Sequence, residues 1–597
     1  MTKARESVLP PSVENIPQTA PTIYYLSIER FRGIQSLVWM PNRGVNVILG
    51  GGDTGKTTIL DAIGLLFSPT NLSTLSDTDY YVRNEQAGFV IEAVVSLPST
   101  SGISEQIKPN WPWIWNGTEA IVPTTNEDDM VSEPVYRLRL RGTDELELVY
   151  EIVQPDGSTN TLSVSLRRAI GLVRLTGDDR NDRDLRLVQG SALDRLLSDK
   201  TLRSRLTNEF SKNEIKDNLS ESAKETLLKL DDAFVKETLP QGLDLAITGG
   251  QGLSVAAMIG LTARFNGIRL PLANWGAGTR RLSALTIAEQ NQGQFPITLV
   301  DEIERGLEPY RQRTLMEKLQ NGASQVFLTS HSSAVVSAVG SGALWYLDHS
   351  GNIGKLDAKK LGQQKKNDPE MFLARLAIVA EGITEVGFVS NFLEKIVGTD
   401  YAQRGIHVSD GKGHDSTLLL LEALADARLS FGGFVDNEKK YPEKWTNLKD
   451  KLGALLFQWK TGCLEENVIG AVADDKLESL INDPSGEKTG YRLRSLADRL
   501  NITGEKDFST IKGKAGENLR KLILEAALGI VPEGKGSEKN AYKAHAQDWF
   551  KKVDGGWELA EKVITLNVWT TLKVELLPFF NKVRKVVGLN EIEDLRI

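Results

Sequence analysis

Hydrophobic and polar positions along the 597-residue chain alternate with different periods in different stretches. From Ile23, IYYLSIERFRGI has the period of a half-buried strand, and GVNVILG is a compact β-branched strand ending in glycines. Between residues 88 and 166, YRLRLRG, ELVYEIVQ and TLSVSLRRA are separated by turns such as Pro155-Asp156-Gly157, which predicts an antiparallel side sheet. Within it NWPWIWNG could stack on bases, although tryptophans beside proline more often pack under a loop. From 178 to 240, SALDRLLSDKTLRSRLTNEF and SAKETLLKLDDAFVKETL carry apolar stripes at helical spacing, and two such helices suggest a hairpin that serves subunit association. Strand and helix alternate again from 250 to 348, and the charged GQQKKNDPE at 362–370 is expected to be a linker.

A second α/β pattern follows. ARLAIVA reads as a strand, and TEVGFVSNFLEKIVG as a helix with Val389, Phe392, Leu393, Ile396 and Val397 on one face. GIHVSDGKG is then a strand and loop, STLLLLEALADARL a helix, and GGFVDNE a third strand. The order βαβαβ predicts a small parallel sheet.

Composition narrows the chemistry. With 71 Lys+Arg against 79 Asp+Glu the net charge is -8, so any DNA contact must use local basic patches. The single cysteine, Cys463, excludes a disulfide framework and a cysteine-based zinc ribbon, and a reducing, cytoplasmic location is expected. No stretch approaches the roughly 20 apolar residues that span a bilayer, so no membrane association is expected. Residues 1–21, with Pro10, Pro11, Pro17 and Pro21 and no apolar signal core, are expected to be a disordered tail.

GGGDTGKTT contains Gly50-x4-Gly55-Lys56-Thr57, a complete Walker A pattern between a strand and an amphipathic helix. Backbone N–H groups of Gly50, Gly52, Asp53 and Gly55 would close around ATP phosphates at the helix N-terminus, where Thr58 also lies. Lys56 would reach the β- and γ-phosphates, and Thr57 would hold Mg²⁺. Downstream, FPITLVDEIERGLEP ends a strand on Asp301, which would orient the Mg²⁺ shell, with Glu302 placed to polarise the attacking water. VFLTSHSS puts His331 past another strand, where a γ-phosphate sensor would sit.

Ligands gather at the C-terminal ends of parallel strands. There Glu381 ends the first strand of the second pattern, Gly382 lets a metal or phosphate approach, Thr384 can cap the helix, and Glu385 lies in its first turn. Asp436 ends the third strand, with Glu438 two residues on, and Glu465 and Glu466 follow the strand-like ALLFQW. Carboxylates converging without His or Cys select Mg²⁺ or Mn²⁺, and two such ions could support phosphodiester cleavage.

The order FRG (Phe31 to Gly33), Walker A, β arm, helical insertion, GAGTRRLSAL with Gly276 and Gly278, DE, EIERGLEP and TSHS resembles the ABC-type ATPase heads of the RecF, SMC and OLD (overcoming lysogenization defect) group. The resemblance implies that the signature of one subunit caps nucleotide held by another, hence a homodimer or higher homo-oligomer. Glu308 stands before Pro309 where relatives often have His, and Gln86 is the available Q-loop candidate. EGxTE followed by DxE resembles the TOPRIM fold, with Glu438 in place of the usual second Asp. Head plus TOPRIM resembles an OLD-family nuclease, including the nuclease subunit of Gabija antiphage systems.

What that resemblance implies is an ABC-type head of α/β class with a helical dimerisation insertion, followed by a parallel-sheet nuclease domain. The implied segments are a tail at 1–21, ATPase lobes at 22–175 and 246–365 flanking an insertion at 176–245, and a nuclease domain at 370–597. The implied function is nucleotide-regulated, metal-dependent cleavage of DNA, with Lys551 or Lys552 as catalytic lysine and a UvrD-like helicase as partner. The alternative is an ATP-switched, DNA-binding scaffold of RecF or SMC type with an inactive docking module. A primase would need a zinc module that one cysteine cannot build, and a topoisomerase a DNA-gate domain that is not apparent.

Overall fold

A strand inside a parallel sheet is covered on both faces, so it is apolar throughout rather than alternating. VNVIL fits this: the strand Val45–Leu49 is buried at all positions, and the amide of its one polar residue, Asn46, donates to the carbonyls of Asn42, Gly44 and Val326. The computed structural model describes residues 20–595 apart from 71–74, 107, 124–132, 176–182, 189–190, 198–218, 248–258, 291–294, 349–350, 358–359, 428–430, 484 and 534–538. The chain divides into two compact units, Met1–Lys355 and Leu356–Ile597.

In the first unit, Val45–Leu49 lies inside a six-stranded sheet in the order Leu172–Leu175, Ile297–Val300, Val326–Thr329, Val45–Leu49, Ala343–Leu347, Ile353–Leu356. The expected antiparallel sheet is also present, with eight strands. Its alternation is visible in Pro134–Gly142, where Leu138 and Leu140 enter the core while Arg137 and Arg139 share Glu92. In NWPWIWNG, Trp113 is buried and its indole N–H donates to the Val153 carbonyl at 2.9 Å, the packing role, whereas Trp111 is exposed. The helix Glu221–Lys236, capped by Ser220, buries Ala223, Leu227, Leu230 and Phe234. Most of the first helix expected in that region, and the N-terminal tail through residue 19, fall outside the described residues.

The second unit is built on a four-stranded parallel sheet in the order Ile406–Asp410, Leu376–Ala380, Phe431–Val435, Leu456–Gln458. The first strand in sequence lies between the second and third, so the connections diverge on either side of it. This is the topological switch at which a crevice opens beyond the carboxyl ends of the strands. The region expected as a linker, 362–370, is instead ordered as the helix Gly362–Asn367 and the helical turn Pro369–Phe372. Two of its polar residues make tertiary contacts: Gln364 donates to Ser409 Oγ, and Asp368 pairs with His407 at 2.8 Å.

The helix Ile383–Ile396 packs against Val553–Thr565 unusually closely because both carry glycine at the crossing. A Cβ on Gly387 would fall 1.9 Å from the Val553 carbonyl oxygen, and one on Gly556 1.9 Å from that of Thr384. Neither backbone atom can rotate away. Gly387→Ala and Gly556→Ala are each expected to cost the second unit about 1–3 kcal/mol, read as a lower urea midpoint; an unchanged midpoint would show that the crossing adjusts freely.

Candidate nucleotide and metal sites

The Walker A loop needs backbone conformations that side chains disfavour. Gly50 and Gly55 have φ of 147° and 97°, and a Cβ on Gly50 would meet the Leu347 carbonyl oxygen at 2.4 Å. Asp53 adopts φ 58°, and Gly52 and Asp53 are exposed at the loop's tip. Gly55 caps the helix Lys56–Leu66, whose first residues are Lys56, Thr57 and Thr58. The Lys56 ammonium folds back onto its own loop, donating to the carbonyls of Gly50 at 3.1 Å and Gly51 at 2.6 Å. Asp301 follows the strand Ile297–Val300, one strand removed from Val45–Leu49, and its Oδ1 accepts from Thr57 Oγ1 at 3.1 Å and Thr329 Oγ1 at 2.7 Å. A Mg²⁺ there would take Thr57 and Asp301 together, a hydroxyl and a carboxylate already aimed at one point.

Glu302 follows in the left-handed region, φ 48°, with its N–H donating to Thr329 Oγ1 at 2.8 Å and its carboxylate half exposed. Arg281, on the helix Ala277–Glu289, donates to the carbonyls of Asp301, Glu302 and Arg305, tying the GAGTRR segment to this turn. Gly276 caps that helix, and a Cβ on Gly278 would lie 2.2 Å from the Gly306 carbonyl oxygen. His331 is exposed; its N–H donates to Glu304 Oε1 at 2.7 Å. Gln86 is exposed in the turn Glu85–Ala87, and Glu308 caps the helix Pro309–Asn321 and pairs with Arg311.

In the second unit the strand ends carry buried acids. Glu381 and Glu385 are 7% and 5% exposed, and Glu465 is fully buried. Glu385 bends back over Gly382, where a Cβ would lie 3.0 Å from its Oε2. Asp436 Oδ1 accepts the Leu464 N–H at 3.0 Å, capping the helix Leu464–Ala471 that bears Glu465. Burial, then repulsion from Glu385, Glu381 and Glu465, pushes Asp436 up to about 9. Burial and Glu465 push Glu385 up to about 7. Lys551 Nζ lies 2.6 Å from Glu465 Oε1; burial pulls this ammonium down, but Glu465 and Glu385 outweigh it and hold it above its ordinary value.

Lys551 thus supports the charge of Glu465 and Glu385, and beyond that ion pair neither Glu465 oxygen accepts a hydrogen bond among the described residues. Uncompensated buried carboxylates of this kind fit a divalent cation, and their oxygen-only chemistry suits Mg²⁺ or Mn²⁺.

A family model described as "AAA domain, putative AbiEii toxin, Type IV TA system" matches residues 45–337. The matched residues lie within the first unit, which contains an ABC-type ATPase domain. The ATPase domain's chain is 40% identical over 78 residues to the DNA replication and repair protein RecF of Chloroherpeton thalassium, a match spanning 13% of this chain and 21% of that relative. The chain thus spans about a fifth of the length of that curated relative. Solved structures similar to it include RecF with ATP, at 16% identity over 57% of this chain and 98% of that one (TM-score 0.34). The SMC head domain from Thermotoga maritima matches at 13% identity over 56% and 99% (TM-score 0.28). Superpositions at such scores carry no conclusion of their own; the loop at 50–57, with its left-handed glycines and Lys56 at a helix N-terminus, fits a nucleotide phosphate independently of them.

Several acids expected as ligands are placed differently from one another. Glu466 is exposed and its Oε2 accepts the Cys463 N–H at 3.0 Å, so this carboxylate is committed to capping its own helix and does not join the cluster. Glu438 is exposed at the rim and paired with Lys440 at 2.7 Å, yet a carboxylate oxygen of it approaches Glu381 and His414 within 4.8 Å. Lys552 is exposed at the start of its helix, which leaves Lys551 as the lysine at the acids. Thr384 does not cap its helix; Gly382 does, and the Thr384 hydroxyl donates to the Phe550 carbonyl at 3.1 Å, holding the segment that bears Lys551. Arg492, fully buried and paired with Glu558, secures the same segment through the Asp548 carbonyl. Sequence reasoning that expected no histidine missed His414, 3.4 Å from Glu381; its only signal was a place in the loop GKGH after the second strand.

Proposed function

We propose that the protein is an ATP-regulated, divalent-metal-dependent DNA endonuclease with a TOPRIM-like second unit, of the OLD type and serving antiphage defence in the cytoplasm. The observation that carries this reading is the cluster of buried Glu381, Glu385 and Glu465 with the partly buried Asp436 at the switch point of a parallel sheet, where Lys551 pairs with Glu465. Those four acids would hold the ions, with Glu438 as an outer arm. Bound there, divalent cations would polarise the scissile phosphate and favour ionisation of the attacking water. Lys551, kept protonated by its neighbours, would offset charge on a phosphate oxygen. The partners proposed are DNA, a second copy of the chain, and a UvrD-like helicase.

The test is incubation of supercoiled and linear DNA with the full chain, Mg²⁺ or Mn²⁺, and ATP present or absent. Nicks or breaks that need the metal and respond to ATP are expected; no cutting under any metal would sink the endonuclease reading.

A second reading is an ATP-switched DNA-binding scaffold, and it is favoured by the local RecF identity and by a family match that lies within the first unit. Nucleotide-dependent DNA retention without cutting would select it. Both readings expect ATP to join two heads, with Glu302 polarising water. Glu302→Gln should slow ATP hydrolysis about 10²-fold or more and accumulate an ATP-bound dimer in light scattering; a variant that stays monomeric with ATP would count against that role.

A further inference from the structure

His414 and Trp445 stand beside the acids without a role in the function proposed above. His414 opens the helix His414–Asp426 with its side chain 5% exposed. Its Nδ1 lies 3.4 Å from Glu381 Oε2, and its Nε2 lies 3.3 Å from the indole Nε1 of the buried Trp445. An indole nitrogen has a hydrogen to give and no lone pair to offer. Trp445 is therefore the donor, His414 Nε2 the acceptor, and the ring's one proton sits on Nδ1, facing the carboxylate. A doubly protonated ring would oppose N–H to N–H at Trp445, and the other neutral tautomer would do the same while setting two acceptors against each other at Glu381.

We infer that His414 is a positioning residue for Glu381: Trp445 fixes the Nδ1–H tautomer, and that N–H pins Glu381 Oε2 so that Oε1 is left to face a cation. The consequence for a cation rests on the metal-dependent reading of the cluster, while the tautomer does not. The backbone works in the same direction. Asp436 N–H donates to Oε2 at 3.0 Å, Gly413 N–H to the Glu381 carbonyl at 2.8 Å, and Glu381 N–H to the Phe434 carbonyl at 3.0 Å. Oε2 thus has two donors, and no donor reaches Oε1 among the described residues. Direct ligation is the competing arrangement, because His414, Glu381 and Glu438 offer ligand atoms within 4.8 Å of one another. It would require Nδ1 to lose its proton to Nε2, and the Trp445 donor opposes that.

Histidine-selective ¹⁵N NMR of the metal-free full chain tests the tautomer directly, with the resonance assigned by its loss in His414→Gln. The Nδ1–H form is expected in the wild type, and a mixture of tautomers in Trp445→Phe, which keeps the aromatic packing but has no donor. An Nε2–H form in the wild type would overturn the inference. With Mn²⁺ bound, pulsed electron paramagnetic resonance should show no coupling to a directly ligated imidazole nitrogen, and such a coupling would also overturn it. Mn²⁺ affinity should fall about 10–100-fold in His414→Gln and by a smaller factor in Trp445→Phe; unchanged affinity in both would remove the positioning role. If the wild type binds no Mn²⁺, the endonuclease reading fails, and the NMR result still decides the tautomer.

Discussion

Asp436→Asn is expected to abolish metal-dependent DNA cutting and, at alkaline pH, to make the metal-free protein more resistant to heat. The two effects have one cause. Burial, Glu385, Glu381 and Glu465 raise Asp436 to about 9 in the folded chain, against a carboxylate near 3.9 when unfolded. The folded state therefore holds more protons than the unfolded state across that interval, and its stability falls as pH rises through it. Glu385, raised to about 7, adds to the slope over the lower part of the interval. Asparagine keeps an oxygen for the Leu464 N–H and removes one ionising group from the cluster. Mg²⁺ should raise the wild-type melting temperature more at pH 8.5 than at pH 6, and Asp436→Asn should lose most of that gain. On the proposed reading the loss in cutting should be about 10³-fold or more, since each ligand would contribute several kcal/mol through the ion it would hold. A variant that Mg²⁺ still stabilises like the wild type, or one less stable than the wild type without metal at pH 8.5, would show that Asp436 is a structural cap.

What the sequence disclosed of this site was whatever lies close along the chain. Strand runs such as LAIVA and FGGFV end on Glu381 and Asp436, so a parallel sheet brings both acids to one edge without any knowledge of packing. The Walker A loop is legible for the same reason: its glycines, Lys56 and Thr57 lie within one turn of chain. Illegible were features decided by partners far away. Gly387 and Gly556 matter because two helices distant in sequence touch. The polarity of GQQKKNDPE looked like a linker's, but Gln364 and Asp368 are paired with the strand Ile406–Asp410. Glu465 and Glu466 are adjacent and chemically alike; the pitch of the helix buries the first and leaves the second to cap, and only the position of the helix decides which acid meets Lys551.

Lys56→Ala should weaken ATP binding about 10²-fold and make DNA cutting the same with and without nucleotide. The Lys56 ammonium is buried against the Gly50 and Gly51 carbonyls. Burial lowers its pKa, while Asp301 and Asp53 support the charged form. ATP would replace those neutral carbonyls by phosphate oxygens, and a hydrogen bond to a charged partner contributes about 1.5–3 kcal/mol, roughly ten- to a hundredfold in affinity or somewhat more. Lys56→Met keeps most of the buried stem and should match Lys56→Ala in nucleotide binding while melting like the wild type, which separates loss of the charge from loss of packing. Titration with a fluorescent ATP analogue reads the affinity, and plasmid cutting with and without ATP reads the coupling. A dissociation constant within threefold of the wild type would remove Lys56 from the nucleotide site. A variant that no longer binds ATP yet still changes its cutting rate when ATP is added would place the nucleotide response outside this loop.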